Sequence, residues 1–181
     1  MTGKIEAWHN VMSLWRTNDF ATYNTLVESA FNSLFSNCTS LTKAPELPLT
    51  TLAKDCYENM FLGCKSLTEA PELPATKLVF GCYSAMFQGC LSLTKAPVLP
   101  ATTLESFCYY CMFWGCQSLK EVRVSATTTT TTARDPLYYW LLEVSATGDF
   151  YCDPNATIFP TDSGSGIPKN WRRLNIADYP N

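Results

Sequence analysis

The chain is expected to fold as an α/β solenoid, and three observations predict this. The sequence repeats every 26 residues: Cys38, Cys64, Cys90 and Cys116 stand 26 apart, as do Phe35, Phe61, Phe87 and Phe113, and Leu41, Leu67, Leu93 and Leu119. Within each unit, apolar residues recur at helical spacing and then give way to a stretch bracketed by prolines. The composition, 46% hydrophobic and 16% charged, supplies apolar side chains for a continuous core. Periods of about 20 to 50 residues signal stacked units that bury their apolar faces only against their neighbours.

The first part of a unit reads as a short helix. In "CYSAMFQGC", Cys82, Met86 and Cys90 fall at i, i+4 and i+8, with Tyr83 and Phe87 beside them. That spacing makes one apolar face of a helix, and Gly89 supplies the turn that ends it. The second part, "LSLTKAPVLP", places Leu93, Ala96 and Leu99 among prolines that cannot donate to a sheet ladder. It reads as a very short parallel strand. A strand and a helix per unit, wound into a right-handed coil, is the leucine-rich-repeat type of architecture.

Residues 1–24 are expected to cap the first repeat, 25–124 to hold four 26-residue repeats, and 125–181 to form a degenerate last repeat and a C-terminal cap, all in one structural domain. Past Val124 the register weakens, although Tyr139 and Leu142 still fall 26 after Phe113 and Cys116. The threonine run at 126–133 reads as a surface loop, with a β-branched edge strand as the alternative.

A formal net charge of −3 argues against nucleic-acid binding and against a polybasic membrane-surface protein. No segment approaches the roughly 20 apolar residues of a bilayer span. The N-terminal "MTGKIEAWHNVMSLW" has no apolar h-region, so no signal peptide is expected.

Nine cysteines invite a chemical reading. Seven of them belong to two 26-residue series, Cys38/64/90/116 and Cys56/82/108, so the repeat sets their positions. On a helix, Cys82 and Cys90 would lie about 12 Å apart, beyond the reach of a disulfide. Buried, reduced thiols are therefore expected, acting as small hydrophobes; Cys111 and Cys152, outside the series, are the one pair that needs checking. "CYYC" at 108–111 lacks the further ligands of a zinc site, and the single histidine, His9, is remote in sequence. Thiol catalysis would need His9 beside a cysteine, and no GxSxG, HExxH or phosphate-loop signature is present. No catalytic residue, metal or cofactor is expected, and no enzymatic activity. Asn37-Cys38-Thr39 and Asn155-Ala156-Thr157 match the glycosylation pattern.

The positions that vary between copies are the candidates for contact. Lys43, Glu69, Lys95 and Glu121 alternate in sign, which predicts a self-neutralising row and a poor site for a strongly charged ligand. On the other side of the unit, Leu62, Leu91, Tyr110 and Trp114 are more apolar than solvent requires. They are the candidate partner-binding residues; packing of Tyr110 and Trp114 beneath the C-terminal cap is the alternative.

The string "CYxxMFxGCxSLTxAPxLPAT", the entry segment "HNVMSLWRTNDF" and the terminal segments "WLLEVSATGDFYCDPNATIF" and "IPKNWRRLN" resemble the BspA-like leucine-rich-repeat cell-surface proteins of Bacteroides and related gut bacteria. The resemblance implies a non-catalytic interaction or adhesion module with a protein or carbohydrate partner at the cell surface or outside the cell. A structural or accessory component of a phage or prophage particle is the alternative expectation, in keeping with unpaired cysteines and no export signal.

Overall fold

The computed structural model describes residues 4–7, 9–14, 26–161 and 164–179. Its units do not contain the expected helices. Five segments, 29–37, 55–63, 81–89, 107–115 and 135–143, are instead chains of consecutive turns, each with a left-handed residue at every fourth position. In the second segment these are Asp55, Asn59 and Gly63; in the third, Gly81, Ala85 and Gly89. Glycine, asparagine and aspartate tolerate that region best, and they occupy many of these sites. A right-handed helix cannot pass through it.

The backbone hydrogen bonds follow from this alternation. Every second N–H closes a turn onto the carbonyl three residues back, as in Ser84 to Gly81 and Met86 to Tyr83. The others reach across to the next segment: Gly81 to Ser106, Tyr83 to Cys108, Ala85 to Tyr110, Phe87 to Met112 and Gly89 to Trp114, at 2.7–3.2 Å. The same five-rung pattern joins each segment to its successor, always with the N–H of the earlier one donating. The turn segments thus form a parallel ladder.

Seven short parallel strands complete the frame: β1 (Ile5–Glu6), β2 (Leu41–Lys43), β3 (Thr103–Leu104), β4 (Glu121–Arg123), β5 (Thr128–Thr129), β6 (Asp149–Cys152) and β7 (Arg172–Asn175). They pair as β1-β2, β3-β5 and β4-β6-β7. The prolines of each "APxLP" stretch remove donors, so no continuous sheet runs along the molecule.

These findings overturn the α/β solenoid of leucine-rich-repeat type. Among the described residues there is no α-helix, only 3-10 turns at Val11–Leu14 and Ile176–Asp178, and the strands lie in three small separate sheets. The physical reason is the left-handed residue at every fourth position, which makes a chain of turns with nearly the same four-residue apolar spacing as a helix.

The core runs beneath the ladder as columns of like residues. Phe35, Phe61, Phe87 and Phe113 stack with ring centroids 5.6 Å apart at each step. Phe31, Tyr57, Tyr83, Tyr109 and Trp140 form a second column at 5.8–6.3 Å. Near-parallel planes at such separations are offset stacks, the favoured arrangement for aromatic pairs. Burial of each ring in the second to fourth units is nearly complete.

The threonine run is part strand and part turn. Thr128 and Thr129 pair with Thr103 and Leu104, and the N–H of Ala133 closes a turn onto Thr130. This run lengthens the fifth unit, so that Phe113 donates to Trp140 where Phe87 donates to Met112. Trp140 therefore follows its equivalent Met112 by 28 residues, and the 26-residue alignment of Tyr139 with Phe113 is corrected. At the far end, the indole N–H of Trp140 donates to Gly166 and that of Trp171 to Ser145. Arg173 reaches the carbonyls of Phe159 and Ala156, fastening the final loop.

At the near end, β1 lies on β2 and the N–H of Val11 donates to Glu46, covering the strand side of the first unit. The remainder of the expected cap, including the second half of the "HNVMSLWRTNDF" segment, lies outside the described residues.

Candidate interaction surface

The ladder sorts side chains by position. Those at Tyr57, Phe61 and Cys64 and their equivalents turn into the core, whereas the left-handed positions range from exposed, as at Ser33, to buried, as at Ala85 and Cys111. In the third to fifth units the outer side carries a run of aromatic rings. Phe80 lies 5.2 Å from Phe107, Phe107 meets Tyr110 edge-on at 5.8 Å, and Tyr110 stacks on Tyr138 at 5.4 Å. Tyr138 and Tyr139 are 3.9 Å apart, and Trp114 tilts against Tyr139 at 6.1 Å. Phe80 is 44% exposed, and the other five are half-buried.

Two of the four sequence candidates, Tyr110 and Trp114, therefore belong to one continuous row. Their partners come from the fifth turn segment, and neither ring is buried beneath the cap. Leu62 is half-buried and Leu91 is 37% exposed; neither enters the ring network. Phe80, Phe107, Tyr138 and Tyr139 were not among the candidates. Phe80 and Phe107 carry a legible signal, since each places an aromatic ring where the neighbouring copies have polar residues or glycine.

Tyr110 and Tyr138 stay protonated at neutral pH. The hydrogen bond to Tyr139, with burial second, pushes Tyr138 up to about 12. Burial, then the neighbouring Cys111 and Asp135, raises Tyr110. The row offers ring edges and hydroxyl groups rather than charge.

The cysteines are structural. All nine are unpaired, including Cys111 and Cys152, and all but Cys38 are buried. The thiols of Cys64, Cys90 and Cys116 donate to the carbonyls of Phe35, Phe61 and Phe87 at 3.0, 3.2 and 3.0 Å. Each links one unit to the one before it. Burial pushes Cys56 up to about 11 and Cys64, Cys108 and Cys116 up to about 12. Thiols so protonated are poor nucleophiles and poor metal ligands. Among the described residues, no group of three or more His, Cys, Asp and Glu side chains is arranged to hold a metal ion. No described helix is long and apolar enough to cross a membrane.

The opposite, strand-side face has two kinds of charge. Lys43 faces Glu69, and Lys95 faces Glu121, the latter pair closing to 2.8 Å. At the second pair the C-terminal segment folds back over the surface. Tyr179 donates its hydroxyl to Glu121 at 2.6 Å, lies beneath Lys95 and Arg123 at 5.0 and 4.5 Å, and packs edge-on against Tyr151. Burial works against ionisation of Glu121, yet the hydrogen bonds from Lys95 and Tyr179 hold it below the ordinary carboxylate range. A neighbouring exposed row, Glu46 and Glu72, adds carboxylates outside that alternating series.

Comparison of the chain with protein-family models, with curated proteins and with solved structures finds no match in any of the three, and the functional reading rests on the chemistry of these surfaces.

Proposed function

We propose that the protein is a non-catalytic interaction module that engages a protein partner through the row Phe80, Phe107, Tyr110, Trp114, Tyr138 and Tyr139. The observation that carries this reading is the continuity of six exposed or half-buried rings across three units. Tyrosine and tryptophan dominate the energetics of protein contacts because each brings a large rigid area and a polar tip. Tyr110 and Tyr138 turn a face toward each other at 5.4 Å, so those two faces are taken up within the row. That suits a polypeptide surface better than the flat platform on which a sugar ring stacks. The buried, protonated thiols support a structural rather than chemical part for the cysteines. The resemblance of the repeat string to surface proteins of gut bacteria supports placing the module on the cell surface or outside the cell.

The test is a comparison of wild type with the double variant Tyr110→Ala/Trp114→Ala on parallel protein and glycan arrays. The expected result is selective binding to protein spots that falls at least about tenfold in the double variant, as loss of interface hot spots requires. Binding confined to glycans, or protein binding undiminished in the variant, overturns the reading.

A further inference from the structure

The strand-side face holds a second surface, separate from the aromatic row. Two adjoining hollows of about 420 and 310 Å³ share Pro71, Glu72 and Pro74, so they form one trough across the first three units. Its walls are the prolines of successive "APxLP" stretches, from Pro45 to Pro100. Prolines are the reason the trough exists: each removes a ladder donor, and the sheet that would close over this face does not form.

The rim is acidic. Glu46 and Glu72 stand exposed on one line along it, and Glu69 on the next is opposed by Lys43. Tyr179 rests outside the trough, on the Lys95/Glu121 pair that repeats Lys43 and Glu69 two units on, with the guanidinium of Arg123 over its ring. The molecule's own C-terminal segment thus shows how a polypeptide seats on this face. An aromatic ring packs against the surface, and its hydroxyl donates to a glutamate of the Lys/Glu row. The trough carries the equivalent pair, Lys43 and Glu69; Pro71 stands where Arg123 stands two repeats on, and Glu46 and Glu72 add exposed carboxylates beside it.

We infer that this trough is a docking site for an extended peptide segment that carries a tyrosine flanked by basic side chains. The ring packs between proline walls, the hydroxyl reaches Glu69, and the basic side chains pair with Glu46 and Glu72. Because the rim charges are exposed, binding weakens as salt rises.

The experiment is a fluorescence-anisotropy titration of the whole protein with a labelled synthetic peptide containing one tyrosine between arginines in a glycine–serine background. Saturable binding is expected at low ionic strength. Affinity should fall at least about tenfold for Glu46→Lys/Glu72→Lys, as loss of two ion contacts implies. It should also fall when the peptide's tyrosine is replaced by glycine, and when Val98→Arg fills the trough. The Trp114→Ala variant should bind unchanged, which separates this site from the aromatic row. All substituted side chains of the trough are exposed, so each variant should melt as the wild type does. Absence of saturable binding, equal affinity in the charge-reversed protein, or equal affinity for an acidic peptide overturns the proposal.

Discussion

Exchanging Ser33 for alanine and for glycine distinguishes the turn ladder from a helix by the sign of one difference. Ser33 is exposed and sits at a φ of 58°, in the middle of the first turn segment. Its hydroxyl donates to the half-buried side chain of Asn32, so both substitutions remove the same minor contact. What differs is the backbone. A left-handed conformation costs a residue with a Cβ about 1–2 kcal/mol, a cost that glycine escapes. Glycine in turn loses about 0.4–1 kcal/mol through its freer unfolded chain. The balance favours glycine over alanine by about 0.5–1 kcal/mol. In a helix interior the order reverses, with glycine about 1 kcal/mol worse than alanine. Urea unfolding with a common m-value measures the difference, and thermal melting should separate the two variants by about 2–4 °C per kcal/mol. An alanine variant more stable than the glycine variant would refute the left-handed assignment.

Further expectations follow from the same packing. The buried thiols have folded-state values raised above their ordinary 9.0, so their stabilising protonation is complete below pH 9 and is lost as the pH rises through the folded values of about 11 to 12. At about 1.4 kcal/mol per pH unit for each thiol, a few kcal/mol disappear per cysteine; denaturant midpoints measured from pH 8 to 12 should fall steeply above 9. In the native protein, Cys38 is the one half-exposed thiol and should react first with a thiol reagent, with the remaining eight released only on unfolding. Gly148→Ala should cost about 1–3 kcal/mol by overpacking, since a Cβ there would lie 2.7 Å from both the Lys120 carbonyl and the Trp171 ring; calorimetry checks it.

The period of the chain was legible because core columns demand identical residues: Phe61, Phe87 and Phe113 stack on one another and so recur in sequence. The local conformation was misread for a specific reason. A turn chain that repeats every four residues places Cys82, Met86 and Cys90 on one side much as a helix does. The discriminating signal was present in Asp55, Asn59 and Gly63 and in Gly81 and Gly89, residues suited to left-handed backbone at strict four-residue spacing. Two of the six rings of the aromatic row, Tyr138 and Tyr139, were hidden by register. Counting 26 from Phe113 sets Tyr139 in the core, whereas the longer fifth unit makes it the left-handed equivalent of Cys111 and leaves its ring half-buried beside Trp114. The docking of Tyr179 was not legible, because it joins positions 58 residues apart outside the repeat.

Scalar coupling across hydrogen bonds tests the central claim most directly. In a labelled sample, the amide nitrogen of Ala85 should correlate with the carbonyl carbon of Tyr110, its acceptor in the next unit at 2.7 Å. A correlation from Ala85 to the carbonyl of Gly81, four residues back as in an α-helix, would contradict the ladder and the placement of every surface residue built on it.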